Sequence, residues 1–534
     1  MNNRGSFTKW LCVFCVLIYL GWYQVPALSF IAFIPFFVVM EMEVGFAKKI
    51  FFLAVLFFAW NLIITYWLCQ INFLKGILLI ILNTVLMASA IAVGLWLRSA
   101  FLRVRGTGFI IILIIWLGFE HLHYIWPISW PWLTIGNIFS RWPALVQWYS
   151  ITGPLGGTIW ILLSNYFIYQ LFFIKTYHSK RKKVYLYSLL FLIALPVSIS
   201  LYVYFLPSQK VSGTYRVGVI HTNYHSPALL NEEEKIRQLK SKILSNLDSN
   251  VDLIIIPELF LNDIFSKSFN ESVLYTTLKS LTTRCPRLKI ITGATLIEEN
   301  PDGNIVYSAF SQNVRVKKYN VSVSIDSSDH IPVKEKKALI PFEEHIPGFL
   351  SFIPYPSENY SFDDDNSDSF YIDSTSSFLN LICYEAINSV FVASRIRSTD
   401  QFIVMLASES FFMNASPGME QYLNYCRLRS IETGKYLIKS SNEGISAIID
   451  DKGNIVKKCN SVSYQYLSST IRGTRRYTLF SQYGDWIGRS SSIISILLMI
   501  LAAIKLPSTR RPRRNPPPIT NTRDPLFPKN HCKA

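Results

Sequence analysis

Phe378-Leu-Asn-Leu-Ile-Cys-Tyr-Glu385 is an apolar run that ends on a thiol and a carboxylate. A short apolar run bounded by polar residues reads as a strand buried on both faces. Cys383 is therefore expected at a strand end, where loops commonly carry functional groups. Two earlier stretches share this form. Asp252-Leu-Ile-Ile-Ile-Pro-Glu258 closes on Glu258, and Lys336 stands just before Ala338-Leu-Ile-Pro-Phe342. A thiol is poorly ionised at neutral pH and needs a base or a nearby cation to become a nucleophile. Glu258 suits the base. Lys336 suits the negative oxygen of a tetrahedral intermediate, where one aimed donor contributes about 3 kcal/mol. The three together suit acyl transfer through a thioester. Taken singly, they read rather as a buried strand cysteine, a strand-end cap and a surface charge.

Around these stretches, β-branched runs alternate with amphipathic ones. Strands are expected at 216–220, 253–257, 288–295, 308–315, 378–382 and 402–407, and helices at 228–247 and 418–434. Segments 439–449 and 454–456 read as two strands about the turn Asp450-Asp-Lys-Gly453,. This is an α/β pattern with a mixed sheet. The acidic run Asp363-Asp-Asp-Asn-Ser-Asp368 lacks the Gly and Glu of a calcium loop and reads as a solvated loop. No zinc-type spacing is present. Any disulfide among Cys285, Cys426 and Cys459 is left open by the sequence. His221 and His225 read as loop histidines.

The chain of 534 residues is half hydrophobic, 15% aromatic and only 16% charged, which points to a membrane rather than to a wholly soluble enzyme. Eight long apolar stretches approach the roughly 20 residues that cross a bilayer: 10–25, 28–40, 50–68, 76–97, 107–119, 156–174, 184–206 and 490–504. The first reads as a retained helix, because no small-residue cleavage pattern follows it. The net charge of +17 is no nucleic-acid signal, since the basic clusters fall after every second span. By the positive-inside rule those loops are cytoplasmic, and the domain between the seventh and eighth spans faces outward. Glu120 with His121 and His123 lies at the outer end of the fifth stretch, where a functional and an interfacial role are equally open.

Pro257-Glu258, Lys336-x-x-Leu339-x-Pro341-Phe342-x-Glu344 and Cys383-Tyr384-Glu385 resemble the nitrilase (carbon–nitrogen hydrolase) superfamily, whose catalytic set is Glu, Lys and Cys in this order. With a bundle of spans before the domain and one after, the chain resembles the apolipoprotein N-acyltransferase family from about Trp10 to Leu506. Further similar stretches are Trp130-Pro-Trp-Leu-x-x-Gly136, Arg427-x-Arg-x-Ile-Glu-x-Gly434, Asn442-x-Gly-Ile-Ser446 and Gly484-Asp485. The resemblance implies Glu258 as base, Lys336 as oxyanion stabiliser and Cys383 as nucleophile. It also implies Glu344 and Glu385 as accessory acids, Tyr384 as the aromatic beside the nucleophile, and Phe411 as an aromatic of the substrate entrance. The family's His is Ala338 here, the Gly of its Pro-Phe-Gly-Glu is Glu343, and its Asn-Asp-x-Trp is Ser408-Glu-Ser-Phe411.

The implied fold is an α-helical membrane bundle of about eight spans with an α/β, nitrilase-like αββα sandwich. The parts are a membrane domain at 1–209, an extracytoplasmic catalytic domain at 210–488, a final helix at 489–506 and a basic Pro-rich cytoplasmic tail at 507–534. The implied activity is transfer of an acyl chain from a glycerophospholipid to the N-terminal amine of a diacylglyceryl apolipoprotein, at the outer face of a bacterial inner membrane. The alternatives are a membrane-tethered carbon–nitrogen hydrolase and a non-catalytic scaffold. The expected partners are the phospholipid donor, the lipoprotein acceptor and the bilayer. A monomer, no nucleic acid, no cofactor and no metal are expected.

Overall fold

The computed structural model describes residues 3–508 apart from 102–107, 174–178, 208–210, 225–231, 247–249, 302–304, 310–311, 347, 349–359, 363–366, 414–415 and 460–462. His225, most of the acidic run and most of the basic tail lie outside the described residues.

The apolar stretches form α1 (Asn3–Tyr23), α2 (Ser29–Ala32), α3 (Ile34–Glu41), α4 (Phe46–Thr65), α5 (Trp67–Ile71), α6 (Phe73–Ala100), α7 (Gly108–Ile125), α8 (Tyr149–Phe172) and α9 (Ser179–Phe205). Among the described residues six helices, the last at Trp486–Ile504, are long and apolar enough to cross a membrane. The other two expected spans differ for physical reasons. Stretch 28–40 breaks at Phe33, which leaves the helical region ahead of Pro35, so neither piece reaches across about 30 Å of hydrocarbon. The sixth stretch lies in the 24-residue α8, after a kink at Gly153 (φ 62°) and Pro154, and its Ser164, Asn165 and Gln170 make it less apolar than the six. Its Asn165 accepts from the Phe33 N–H at 2.9 Å and donates to the Ser29 carbonyl at 2.7 Å. That polar side chain satisfies backbone groups freed by the break.

The remaining elements are β1 (Val211–His221), α10 (Glu232–Asn246), β2 (Leu253–Ile255), β3 (Leu261–Phe265), α11 (Val273–Arg284), β4 (Lys289–Glu299), β5 (Ile305–Ala309), β6 (Gln312–Ile325), β7 (Val333–Glu335), β8 (Ser369–Tyr371), β9 (Ser377–Ile382), α12 (Ser389–Arg395), β10 (Asp400–Ser408), α13 (Ser416–Thr433), β11 (Leu437–Asn442), β12 (Ser446–Ile449), β13 (Ile455–Cys459), β14 (Gln465–Thr474), α14 (Leu479–Tyr483) and α15 (Trp486–Ser508). One sheet has the order β14-β1-β2-β4-β6-β5, with β3 on β4 and β7 on β6; the other runs β13-β12-β11-β10-β9-β8.

The period-2 alternation of strands builds the layers. Leu253 and Ile255 of β2 pack with Phe402, Val404 and Leu406 of β10 in the core between the sheets. Ile254 and Ile256 face α10 and α11, while Ile403, Met405 and Ala407 face α13. Every central strand is covered on both faces, which explains the uninterrupted apolar runs. The result is the expected αββα sandwich. Its α13 layer shares one continuous core with the membrane helices.

Three local expectations change. Stretch 308–315 spans the paired strands β5 and β6. Stretch 439–449 is two strands, turned by Glu443 (φ 47°) and Gly444 (φ 101°). His221 is the buried last residue of β1, its Nδ1 2.9 Å from the Ser446 hydroxyl.

Candidate active site

Three strand ends meet at the site, and each carries a non-glycine residue in the left-handed region: Leu259 after Glu258 (φ 56°), Phe342 near Glu344 (φ 66°) and Cys383 itself (φ 46°). Each such residue costs on the order of 1–3 kcal/mol and persists where its surroundings hold it. Glu385 holds Cys383. It accepts from the Ile382 N–H at 2.7 Å and the Lys337 N–H at 2.8 Å and pairs with Lys334. The Tyr384 hydroxyl donates to the Ser129 carbonyl at 2.8 Å, tying the thiol's turn to the membrane part. Gly293 on β4 is needed beneath Glu258, because a Cβ there would stand 2.5 Å from the Glu258 Cα.

Lys336 is 1% exposed and lies between two carboxylates, 2.9 Å from Glu258 and 2.6 Å from Glu344. Asn320 donates to the same Glu258 oxygen at 2.8 Å, and the Ser408 N–H donates to the other at 2.8 Å. The Ser408 departure therefore leaves the bond to Glu258 intact, because the backbone makes it. Glu344 is fixed by the Ile340 N–H at 2.9 Å. Burial alone lowers the Lys336 ammonium, but Glu258, Glu344 and Cys383 outweigh it and hold the group well above its ordinary value. Burial raises the Glu344 carboxyl against the pull of Lys336. Cys383 lies within electrostatic reach of Glu258, Lys336 and Glu344; burial and then Glu258 push its thiol up to about 12. The resting sulfur is thus a neutral thiol that needs a base at the moment of reaction.

Of the residues singled out in the sequence, Glu258, Lys336, Cys383 and Glu344 come together. Glu385 braces the site from behind rather than entering it, and Tyr384 serves the domain junction. Glu120 is a brace too: it accepts from Trp116 at 3.1 Å, the Ile135 N–H at 2.9 Å and Thr158 at 2.6 Å. Asp368, the last residue of the acidic run, is buried and paired with Lys337 at 3.5 Å and Arg395 at 3.4 Å rather than solvated. Among the described residues, Cys285, Cys426 and Cys459 form no disulfide.

Sequence reasoning missed Asn320, Lys439 and Tyr422. Lys439 is buried, paired with Glu409, and 4.7 Å from the centre of the Tyr422 ring. The Tyr422 hydroxyl is buried against the Cys383 thiol and interacts with it as a hydrogen-bond partner. A tyrosine inside a helix gives no sign of this in one sequence.

Beside the site runs an apolar groove of about 400 Å³, walled by Leu68, Leu78, Leu79, Leu82 and Leu86 of α5 and α6, by Trp130 and Phe411, and by the 340–346 loop. Ser129, bonded to Tyr384 next to the thiol, and Ile340, bonded to Glu344 of the cluster, also line it.

A two-sheet sandwich with a buried Glu–Lys pair beside a strained strand-end cysteine, set on a helical membrane bundle, defines a nitrilase-superfamily protein with a membrane domain. Residues 14–167 match the apolipoprotein N-acyltransferase N-terminal domain, and residues 216–476 match the carbon–nitrogen hydrolase family. The chain is similar to the apolipoprotein N-acyltransferase of Rickettsia typhi, 26% identical over 74% of this chain and 76% of that one. It is 22% identical to that of Chlorobaculum tepidum over 90% and 92% of the two chains. With that of Haemophilus ducreyi it is 26% identical, the match spanning about half of each, 49% and 50%. The chain belongs to the apolipoprotein N-acyltransferase family.

Proposed function

We propose that this protein moves an acyl chain from a glycerophospholipid to the free α-amine of a lipoprotein's diacylglyceryl cysteine, through a thioester on Cys383. The observation that carries this reading is the Lys336 ammonium clamped between Glu258 and Glu344 within electrostatic reach of the Cys383 thiol, next to an apolar groove whose wall is a membrane helix. Glu258 takes the thiol proton as the sulfur attacks the ester carbonyl. Lys336 stabilises the negative oxygen of the intermediate. The ester C–O bond breaks, the glycerol oxygen takes the proton from Glu258, and a lysophospholipid leaves. In the second half the amine attacks the thioester, its proton passes through Glu258 to the departing sulfur, and an amide remains. Glu344 keeps Lys336 in place, and Phe411 and Trp130 line the entrance.

The bundle's charge distribution supports a catalytic domain on the outer side of the inner membrane. Arg98 at the end of α6 pairs with Glu41 at 2.7 Å, and Lys49 donates to the Met40 carbonyl at 2.6 Å, so basic residues gather at one end. The other end of α6 meets the 340–346 loop. The helix between them is about 42 Å long.

Purified protein mixed with phospholipid and a diacylated lipopeptide tests the proposal. N-acylated peptide is the expected product. Fatty acid released without transfer supports a hydrolase instead.

A further inference from the structure

Glu343 and Lys75 are not used by the chemistry above. Glu343 stands where the resembling motif carries Gly, and its carboxylate lies 2.9 Å from the Lys75 ammonium across the groove, each side chain a little over one third exposed (36% and 37%). The loop turns sharply here, with Phe342 in the left-handed region and both the Glu343 and Glu344 N–H groups donating to the Ile340 carbonyl. Consecutive residues thus point in two directions, Glu343 to the membrane helix and Glu344 to Lys336.

Along α6, Lys75, Leu78, Leu79, Leu82 and Leu86 all line the groove. That spacing is one face of a helix. It places a cation at the outer end and leaves about 12 Å of leucine surface running into the membrane. The groove wall therefore has the charge pattern complementary to a glycerophospholipid: a cation for the phosphate and an apolar track for a chain. A partly exposed ion pair is weakly held and easily exchanged, and a phosphodiester oxygen offers a charge-assisted bond of the same kind.

We propose that Lys75 is the phosphate site of this groove and that Glu343 is its resident counter-charge, displaced by the phosphodiester of a glycerophospholipid as the chain lies along α6. The proposal rests on the reading that a phospholipid is the acyl donor. Displacement also frees the loop that carries Glu344, linking arrival of the headgroup to the groove's opening.

Lipid binding to full-length protein carrying Cys383→Ala, which holds lipid without turnover, gives the test. In detergent micelles, native mass spectrometry compares phosphatidylglycerol with a diacylglycerol of the same chains. Lys75→Gln is expected to weaken phosphatidylglycerol about ten-fold, the scale of one charge-assisted bond, and to leave diacylglycerol within about two-fold. Glu343→Gln is expected to strengthen phosphatidylglycerol. The exchange Lys75→Glu with Glu343→Lys rebuilds the pair but is expected to bind phosphatidylglycerol as weakly as Lys75→Gln. Equal loss for both lipids in Lys75→Gln, or recovery of phosphatidylglycerol binding in the exchange variant, overturns the proposal and leaves the pair a tie between loop and helix. Acylation of Cys383 in otherwise unaltered protein tests the donor reading separately. Charge-dependent binding without an acyl-enzyme breaks that reading and still supports the phosphate site.

Discussion

Lys334 and Lys336 are two residues apart, both fully buried, and each faces carboxylates, yet they belong to different machines. Lys334 lies in β7 and Lys336 follows its last residue, Glu335; a continuing strand would turn both lysines to one face, but the strand ends between them. Lys334 pairs with Glu385 and lies 3.9 Å from Asp368. Lys336 is clamped by Glu258 and Glu344 beside the thiol. For Lys334, burial outweighs its partners and lowers the ammonium; for Lys336, the partners win and raise it. If Lys336 acts as proposed, burial and pairing alone do not mark the lysine that serves the chemistry. What separates the two is the reactive group each can reach.

The largest expected effect comes from the residue that only one lysine serves. Cys383→Ala is expected to abolish N-acylation in cells that rely on this protein, read by mass spectrometry of a lipoprotein's N-terminal peptide. Unchanged acylation would show that the fold is kept without the chemistry.

Next, Lys336→Met and Lys334→Met sharpen the comparison directly. Each removes one charge from a buried cluster and is expected to destabilise by about 3–5 kcal/mol, measured as a lowered unfolding midpoint in detergent. Only Lys336→Met is expected to lower the kcat of the folded fraction, by about 10²–10³. Equal kcat losses in the two variants would erase the distinction.

Glu385→Gln follows. Its carboxylate holds the Ile382 and Lys337 N–H groups and Lys334, so a stability loss of about 1–3 kcal/mol is expected with a smaller loss of activity. A kcat loss as large as that of Lys336→Met would move Glu385 into the chemistry.

The smallest effect is one of pH. Lys336 is raised in the folded protein, so its stabilisation is fully present below the unfolded value of about 10.4 and is lost as pH rises through the folded value. Lys334 is lowered, so the unfolded chain binds more protons just below about 10.4, and its contribution grows as pH rises through that window. Unfolding midpoints compared from pH 8 upward are expected to show the gap between wild type and Lys334→Met widening while the gap to Lys336→Met stays level. The reverse trend would mean the two environments are exchanged.

Much of this was legible in the chain. The runs ending at Glu258 and Cys383 are strands buried on both faces, and such strands announce themselves as unbroken apolar sequence. Helix 418–434 ends where expected because Gly434 adopts φ 67°. The 308–315 stretch was not legible, because one apolar pattern covers both arms of a hairpin. Nor were Asn320 and Tyr422. Asn320 reaches Glu258 only after β6 pairs with β4, and Tyr422 lies near Cys383 only after α13 packs on its sheet. The break at Phe33 depends on Asn165, more than a hundred residues away, to satisfy the freed backbone. Long-range pairings of this kind leave no local pattern. The two lysines themselves were separable only by the resemblance of the motif that follows Lys336, since in sequence both are cations of one short basic cluster.

The central claim is that Cys383 carries the acyl chain. Purified protein is incubated with a phospholipid of defined chains, quenched in acid and digested, and the peptide containing Cys383 is weighed. The account predicts the mass of one acyl chain on Cys383, released by hydroxylamine and absent from Cys383→Ala. An unmodified Cys383 peptide in protein that still transfers the chain, or an acyl group on another residue, would contradict it.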